Sequence, residues 1–394
     1  MKRYPAFEPP EYVDWSPDPD VMREYREKIE RDPTRRGYVE ELDAGRLLDL
    51  YRGLLRFRLH DISLKRWVRQ GVISKAWLGT GEEATTIGPV HALERSGPES
   101  DVVGPMIRNA GACHEMGMPL SDMFRGYLAS ADSPSRGRDL HIGSRAHGVV
   151  APISMVSGLA PVIAGYGLAF RMRRARRLAL TWVGDGATKT GSVHEAFNLA
   201  AVRRLPVIYI IQNNQVALGT HLEQHHAADG FADWGRLYGA AAASFDGNHV
   251  LDAYAATRWA AERCRSGVGP VFLAAETFRM GGHATHDEAE ARQLFSDDTF
   301  AYWGRRDPIG CFEEWLVGCS LDLNSGARVD PGAAESSNRE RLADCEASVV
   351  AEVEEAAEEA LASRENMPRP DEALEDVYAE PPEDAGQRPA PYYD

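Results

Sequence analysis

Lysine is nearly missing from this chain. Only Lys2, Lys28, Lys65, Lys75 and Lys189 occur among 44 cationic side chains, and the rest are arginines. Cations are also outnumbered, 60 acids to 44 bases, for a formal net charge of −16 at pH 7. Nucleic-acid binding needs clustered cations facing phosphates, so no nucleic acid is expected as a main partner. An acidic, lysine-poor surface suits a salt-rich cytoplasm, and a GC-rich genome produces the same arginine bias; both origins stay open. Cysteine is sparse as well. Cys113, Cys264, Cys311, Cys319 and Cys345 are scattered, odd in number and never in a CxxC pair, which argues against a disulfide framework and a zinc site. Long hydrophobic runs do not occur: no stretch approaches the ~18 apolar residues of a membrane span. The N-terminal MKRYPAFEPPEYVDW holds no apolar segment of signal-peptide length. The expectation is a cytoplasmic protein without membrane contact.

What the chain has is an apolar share of 43% over 394 residues, enough for a sizeable core. Residues 1–42 are rich in proline and charge and read as an extended arm. Residues 43–73 carry helical periodicity (Leu47, Leu48, Leu50, Tyr51, Leu54, Leu55, Phe57, Ile62, Leu64, Trp67), for one long helix or two. GTGEEATTIGPVHALE reads as a turn opening a helix. Residues 152–172 are rich in Gly and Ala and apolar nearly all round, which predicts a buried helix in close contact with its neighbours. A β-α-β series follows: strand 178–183, helix 193–203, strand 207–211, strand 241–245, helix 249–265 and strand 271–275. Alternation of this kind predicts an α/β domain over 43–323, with right-handed crossovers and a mostly parallel sheet. Residues 324–340 read as a linker, 347–363 as a helix with an acidic face, and the end as a Pro-rich tail that wraps a partner; 324–394 is thus one appended region.

The chemistry concentrates in WVGDGATKTGSVHEAFNLAAVRRLPVIYIIQNN, residues 182–214. Ligands of an open parallel sheet sit beyond the carboxyl ends of its strands. Asp185 follows one such strand and Asn214 the next, so neighbouring strands would bring a carboxylate and an amide oxygen into one small volume. That hard-oxygen pair suits Mg²⁺ or Ca²⁺, with phosphate oxygens and water completing the shell. Gly184 and Gly186 let the backbone approach a phosphate, and the following helix points its N-terminus nearby. Glu195 has the look of a catalytic acid, but Ser192-Val-His-Glu195 fits a capping box. His194 reads as a packed or surface residue, and Lys189 as a phosphate contact or a solvated one.

Between Gly186 and Asn213 lie 26 residues, room for one helix and one strand. This GDG…NN arrangement resembles the thiamine-diphosphate motif. From about residue 45 to about 320, and again at LEDVY, the chain resembles the alpha subunits of thiamine-diphosphate-dependent 2-oxo-acid dehydrogenases of the pyruvate and branched-chain type. GTGEEA at 79–84, GRDLHIG at 137–143, ETFRMGGHATHDEA at 276–289 and RDPIG after it are similar to that family's segments. The resemblance implies a three-layer thiamine-diphosphate-binding fold, with Asp185 and Asn214 ligating Mg²⁺ by side chain and Val216 by its carbonyl. Gly184, Gly186 and Ala187 would then meet the diphosphate. Ile107 and Arg108, in PMIRNAG, match a Tyr-Arg pair whose Arg grips phosphate bidentately, and Gln212 occupies a diphosphate-facing position. Ser154 and Val156, in PISMVSG, would lie against the aminopyrimidine. His283 is the implied catalytic residue, hydrogen-bonding the diphosphate and assisting acylation of lipoamide. His221 and His286 are not expected to act. Ala284 stands where the family carries its regulatory serine, so kinase control at that place is not expected, although Thr285 follows.

In the same family the glutamate that activates the cofactor comes from a beta subunit. Nothing after residue 325 reads as a second α/β domain to supply it, so the resemblance implies an α₂β₂ heterotetramer, inactive without its beta chain. The expected activity is oxidative decarboxylation of a 2-oxo acid and acyl transfer to the lipoyl group of a dihydrolipoyl acyltransferase. An acetoin dehydrogenase alpha subunit, or a degenerate structural paralogue, are the alternatives.

Overall fold

The computed structural model describes residues 2–3 and 13–374; of LEDVY only Leu374 is among them, and the Pro-rich tail is described up to the 3₁₀ turn Pro370–Leu374. Five parallel strands form the centre: β1 (Val102–Gly104), β2 (Ala179–Gly184), β3 (Val207–Asn213), β4 (Ala241–Asp246) and β5 (Val271–Glu276), in the order β1-β2-β3-β5-β4. The mostly parallel α/β reading of the sequence holds. The register pairs Gly184 with Gln212 and Asn213 with Glu276, so β2, β3 and β5 end side by side.

Alternation along each strand divides the interior in two. Leu180, Trp182, Ile208, Ile210 and Leu273 point into one core, whereas Ala179, Val183, Val207, Tyr209, Ile211 and Phe272 point into another. The first core is closed by α3 (Ala44–Arg69), α4 (Ala84–His91) and the helix Val250–Arg265. Here Gly88 is obligatory: a Cβ would lie 2.6 Å from the Val250 carbonyl oxygen. The second core is closed by α7 (Leu159–Arg173) and α8 (Gly191–Val202), where a Cβ on Gly167 would come within 2.5 Å of Val207.

Three expectations change. Residues 19–40, read as extended arm, form α1 (Pro19–Glu30) and α2 (Pro33–Glu40), each opened by an Asp cap followed by Pro. Val21, Met22, Tyr25 and Ile29 join the first core, so apolar burial outweighs the local proline and charge. The tail helix begins at Glu335, inside the expected linker, and runs to Ala362. Its Leu342, Cys345, Val349 and Val353 pack into the first core. Finally, α7 is not buried all round. Its Ile163, Ala164, Gly167 and Phe170 face the sheet, but Val162, Tyr166 and Met172 are exposed.

Candidate active site

The carboxyl ends of β2, β3 and β5 converge with two loops, 77–83 and 105–109, and the segment 277–287. Buried polar atoms fill the space between them. Glu82 Oε1 accepts from Gln212 Nε2 (2.6 Å) and Asn214 Nδ2 (2.9 Å), while Glu82 Oε2 accepts from Arg108 Nη1 (3.2 Å). Asn109 Nδ2 donates to Gln212 Oε1 at 2.9 Å. Arg108 also donates to the carbonyls of Leu78 and His283, and its Nη2 lies 3.3 Å from His283 Nδ1. Arg108, Gln212, Asn214 and His283, expected together from four separate segments, therefore share one network with Glu82 at its centre. Gly81, at φ +90°, keeps the Glu82 turn tight against the Met280 side chain, which a Cβ would meet at 2.5 Å.

Asp185 stands one residue beyond β2. Its backbone N–H donates to Gln212 O at 3.2 Å, and Thr188 Oγ1 donates to its carbonyl. Its side chain is 4% exposed, and Oδ2 finds no hydrogen-bond partner among the described residues. Burial pushes its carboxyl pKa above the ordinary value, against the Gly186 amide and His225 that lower it. Asn214 Oδ1, one residue beyond the neighbouring strand, is likewise buried without a partner among the described residues, as are Asn109 Oδ1 and Asn213 Oδ1. Buried acceptors are costly to leave unpaired, and a divalent cation at the ends of these adjacent strands would satisfy Asp185 Oδ2 and Asn214 Oδ1 together. Gly186 shapes the path to them, since a Cβ there would meet the Ala217 Cβ at 2.4 Å; Gly184 borders open space, with only Met106 Sδ at 3.9 Å. Ala187 opens a 3₁₀ turn, Ala187–Lys189. Val216 is buried in a short hairpin with His221, entered through Gln215 at φ +73°. The residues present fit a metal-bound diphosphate. Among the described residues no three His, Cys, Asp or Glu side chains are arranged to hold a metal; the donors here are one carboxylate, an amide and backbone.

Burial and the neighbouring Arg108 and Arg279 depress the His283 pKa to about 4, so its ring is neutral at pH 7. A guanidinium only donates. Nδ1, facing Arg108, must accept, which leaves the proton on Nε2 as a donor. Asp287 fixes the loop, accepting from the amides of His283 (3.0 Å) and Ala284 (2.7 Å).

Other expected residues lie differently. Gln212 is committed at both ends within the protein, and Arg108 at both terminal nitrogens, so neither offers the free donor set the resemblance implies. Ile107 is half-buried beside Arg108. Ser154 and Val156 sit on the exposed side, Val156 at 66% exposure, and Ser154 Oγ pairs with His141 Nε2 at 3.3 Å. Their neighbour Ser157 ties this loop to the turn after Asp185 through Thr190 and Ser192. The capping box is not formed: α8 has no side-chain cap, and both His194 and Glu195 are exposed. Lys189 is exposed, as one of its two readings had it; its ammonium meets His226 Nδ1 at 2.6 Å and lies over Phe231 and Trp234.

Glu82, Asn109, Arg279 and His225 received no role from the sequence. Arg279 is 3% exposed, donates to Leu218 O and Gly281 O, and has its pKa lowered to about 10 by burial and Arg108. The GTGEEA and ETFRMGG segments held the only signal for Glu82 and Arg279; none marked Asn109 or His225.

Residues 52–369 match the family described as dehydrogenase E1 component. The chain is 30% identical to the 2-oxoisovalerate dehydrogenase subunit alpha of Bacillus subtilis, covering 84% of this chain and 95% of the relative. It is 30% identical to that of Pseudomonas aeruginosa, over 87% and 80%. The mitochondrial subunit alpha of Caenorhabditis elegans is 31% identical over 68% of this chain, but only 62% of the relative's length is spanned.

Proposed function

The chain belongs to the dehydrogenase E1 component family, and from that premise we propose that it is the alpha subunit of a 2-oxo-acid dehydrogenase of the branched-chain type. On this reading it binds thiamine diphosphate through Mg²⁺ and works with a beta subunit in an α₂β₂ heterotetramer. The product acyl group passes to the lipoyl group of a dihydrolipoyl acyltransferase. The observation that carries the reading is the pair of buried, unpartnered acceptors, Asp185 Oδ2 and Asn214 Oδ1, at the ends of adjacent strands.

Asp185, Asn214 and the Val216 carbonyl would hold the cation. Arg108 and Arg279 give the pocket the positive field an anionic diphosphate requires. The bound thiazolium supplies the electron sink for decarboxylation. His283, neutral with its proton on Nε2, presents a hydrogen-bond donor without adding charge to that already cationic loop. Glu82 holds Arg108, Gln212 and Asn214 in one arrangement. A partner is supported by the apolar surface beside the site, where Met155 (72% exposed) and Val156 precede the open side of α7. The branched-chain class of the substrate rests on the names of the relatives.

Calorimetry on the chain co-expressed with its beta subunit tests this. Thiamine diphosphate should bind only with Mg²⁺, and Asp185→Ala should abolish binding. Unchanged affinity in that variant refutes the metal assignment, and no binding by the wild-type pair favours a structural paralogue.

A further inference from the structure

We propose that His225 is a third side-chain donor to the cation at Asp185 and Asn214, giving this site one imidazole nitrogen beside its oxygens. The inference rests on the metal reading above and extends it to a residue from a different part of the chain.

Three histidines lie close together in the segment 221–226. Two are accounted for by the protein. His221 sets its ring edge-on to Phe295, and His226 stacks on Phe231 while meeting Lys189. His225 is different. Both its ring nitrogens are buried without a hydrogen-bond partner among the described residues. The side chain is 12% exposed and its Nε2 lies 3.6 Å from Asp185 Oδ2. That is too long for a hydrogen bond; the two meet only as a charge contact when the ring is protonated. Buried polar atoms left unpaired in this way are rare and call for an explanation. Here an imidazole nitrogen faces a carboxylate oxygen, and the unpartnered Asn214 Oδ1 stands one residue beyond the neighbouring strand.

The local fold holds the ring in position. His225 ends the one-turn helix Leu222–His225, whose start is closed by Gln224 Oε1 accepting from the His221 amide at 3.0 Å. The Lys189–His226 contact pins that turn to the loop bearing Asp185. The ring is thus presented to Asp185 by a turn anchored on both sides. One small ion can draw both groups into its shell, since adjacent ligands of an octahedral ion at about 2.1 Å lie about 3 Å apart.

The donor set has a consequence for metal choice. Carboxylate, carbonyl and water suit Mg²⁺, whereas imidazole favours transition ions. A site with one imidazole should therefore discriminate for Mn²⁺ against Mg²⁺ more strongly than an all-oxygen site.

The test uses Mn²⁺ alone on the full-length chain co-expressed with its partner. Electron spin-echo modulation should show directly bound ¹⁴N, converted to ¹⁵N when the protein carries [¹⁵N]histidine, and lost in His225→Gln. Mn²⁺ affinity in that variant should fall by about ten-fold or more, with Mg²⁺ affinity, measured by competition, changing less. Mn²⁺ held in an Asp185-dependent way by the wild type but without nitrogen modulation overturns the role of His225 and leaves the Asp185 site standing. Mn²⁺ that does not bind, or binds equally to Asp185→Ala, overturns the site itself and His225 with it. The wild-type spectrum decides the question even if a variant fails to fold.

Discussion

The two faces of the sheet are finished differently. One is closed by helices whose outer sides are themselves covered: α3 lies under the long C-terminal helix, and Leu54 and Val349 are 0% and 1% exposed. The other is closed by α7, α8 and the short segment bearing Phe231, Trp234 and Tyr238. Beyond them Val162, Tyr166, Leu199 and Val202 face outward, Val202 at 71% exposure. The same strands feed both cores, so the asymmetry belongs to the covering helices. Scattered exposed apolar side chains are ordinary, but a run of them on two adjacent helices marks a surface for another chain. The sealed face carries stability; on the proposed function, the open face, which borders the loop of Ser154 and Val156, is where the beta subunit would sit.

Core truncation gives the largest expected effect. Leu54→Ala removes a fully buried side chain between helices and should cost about 2–5 kcal/mol, read from denaturant midpoints of the isolated chain. On the open face, Leu199→Glu with Val202→Glu should leave stability within about 0.5 kcal/mol. The same pair should weaken association with the beta subunit by about ten-fold or more, near 1.4 kcal/mol, in copurification or sedimentation. If the open-face pair unfolds the chain, or the partner still binds it fully, the contrast between the faces is wrong.

A smaller effect tests the site where the two faces meet. His283 is held neutral, its pKa lowered to about 4 from an ordinary 6.5. The unfolded chain takes up a proton below pH 6.5 that the folded chain refuses until about 4, so stability is full above 6.5 and lost as pH falls through that window. His283→Gln should remove this component, making the difference from wild type shrink as pH drops from 6.5 to 4. Histidine NMR should place the titration near 4; a midpoint near 6.5 would show that neither burial nor Arg108 and Arg279 hold the ring neutral.

Legibility in the sequence followed the same division. Strands buried on both sides are continuous apolar runs, and β2, β3 and β5 fell within one or two residues of their expected limits, as did the half-buried edge strand β4. Asp185 and Asn214 were legible because they end such strands. Helices 19–30 and 33–40 were hidden by composition, although Asp18-Pro19 and Asp32-Pro33 are helix-start signals. Glu82, Arg279 and His225 were out of reach for another reason: their meaning lies in which loop faces which, and no local periodicity encodes that.

The smallest predicted effect sets a sequence signal against the structure. Ser192 and Glu195 have capping-box spacing, yet α8 begins without a side-chain cap, and Ser192 Oγ instead meets Ser157 Oγ at 2.9 Å. On the sealed face, Asp43 does cap α3, accepting from the Arg46 amide at 2.8 Å. Asp43→Ala should therefore cost about 1 kcal/mol. Ser192→Ala loses a half-buried hydroxyl contact and should change stability of the isolated chain by less than about 0.5 kcal/mol. Because Ser157 follows Val156 directly, the Ser192 variant should act instead on the open face, loosening the 153–158 loop and raising its amide exchange. Equal stability losses in the two alanine variants would mean that α8 is capped by Ser192 in solution, and that the hydroxyl cluster does not hold that loop.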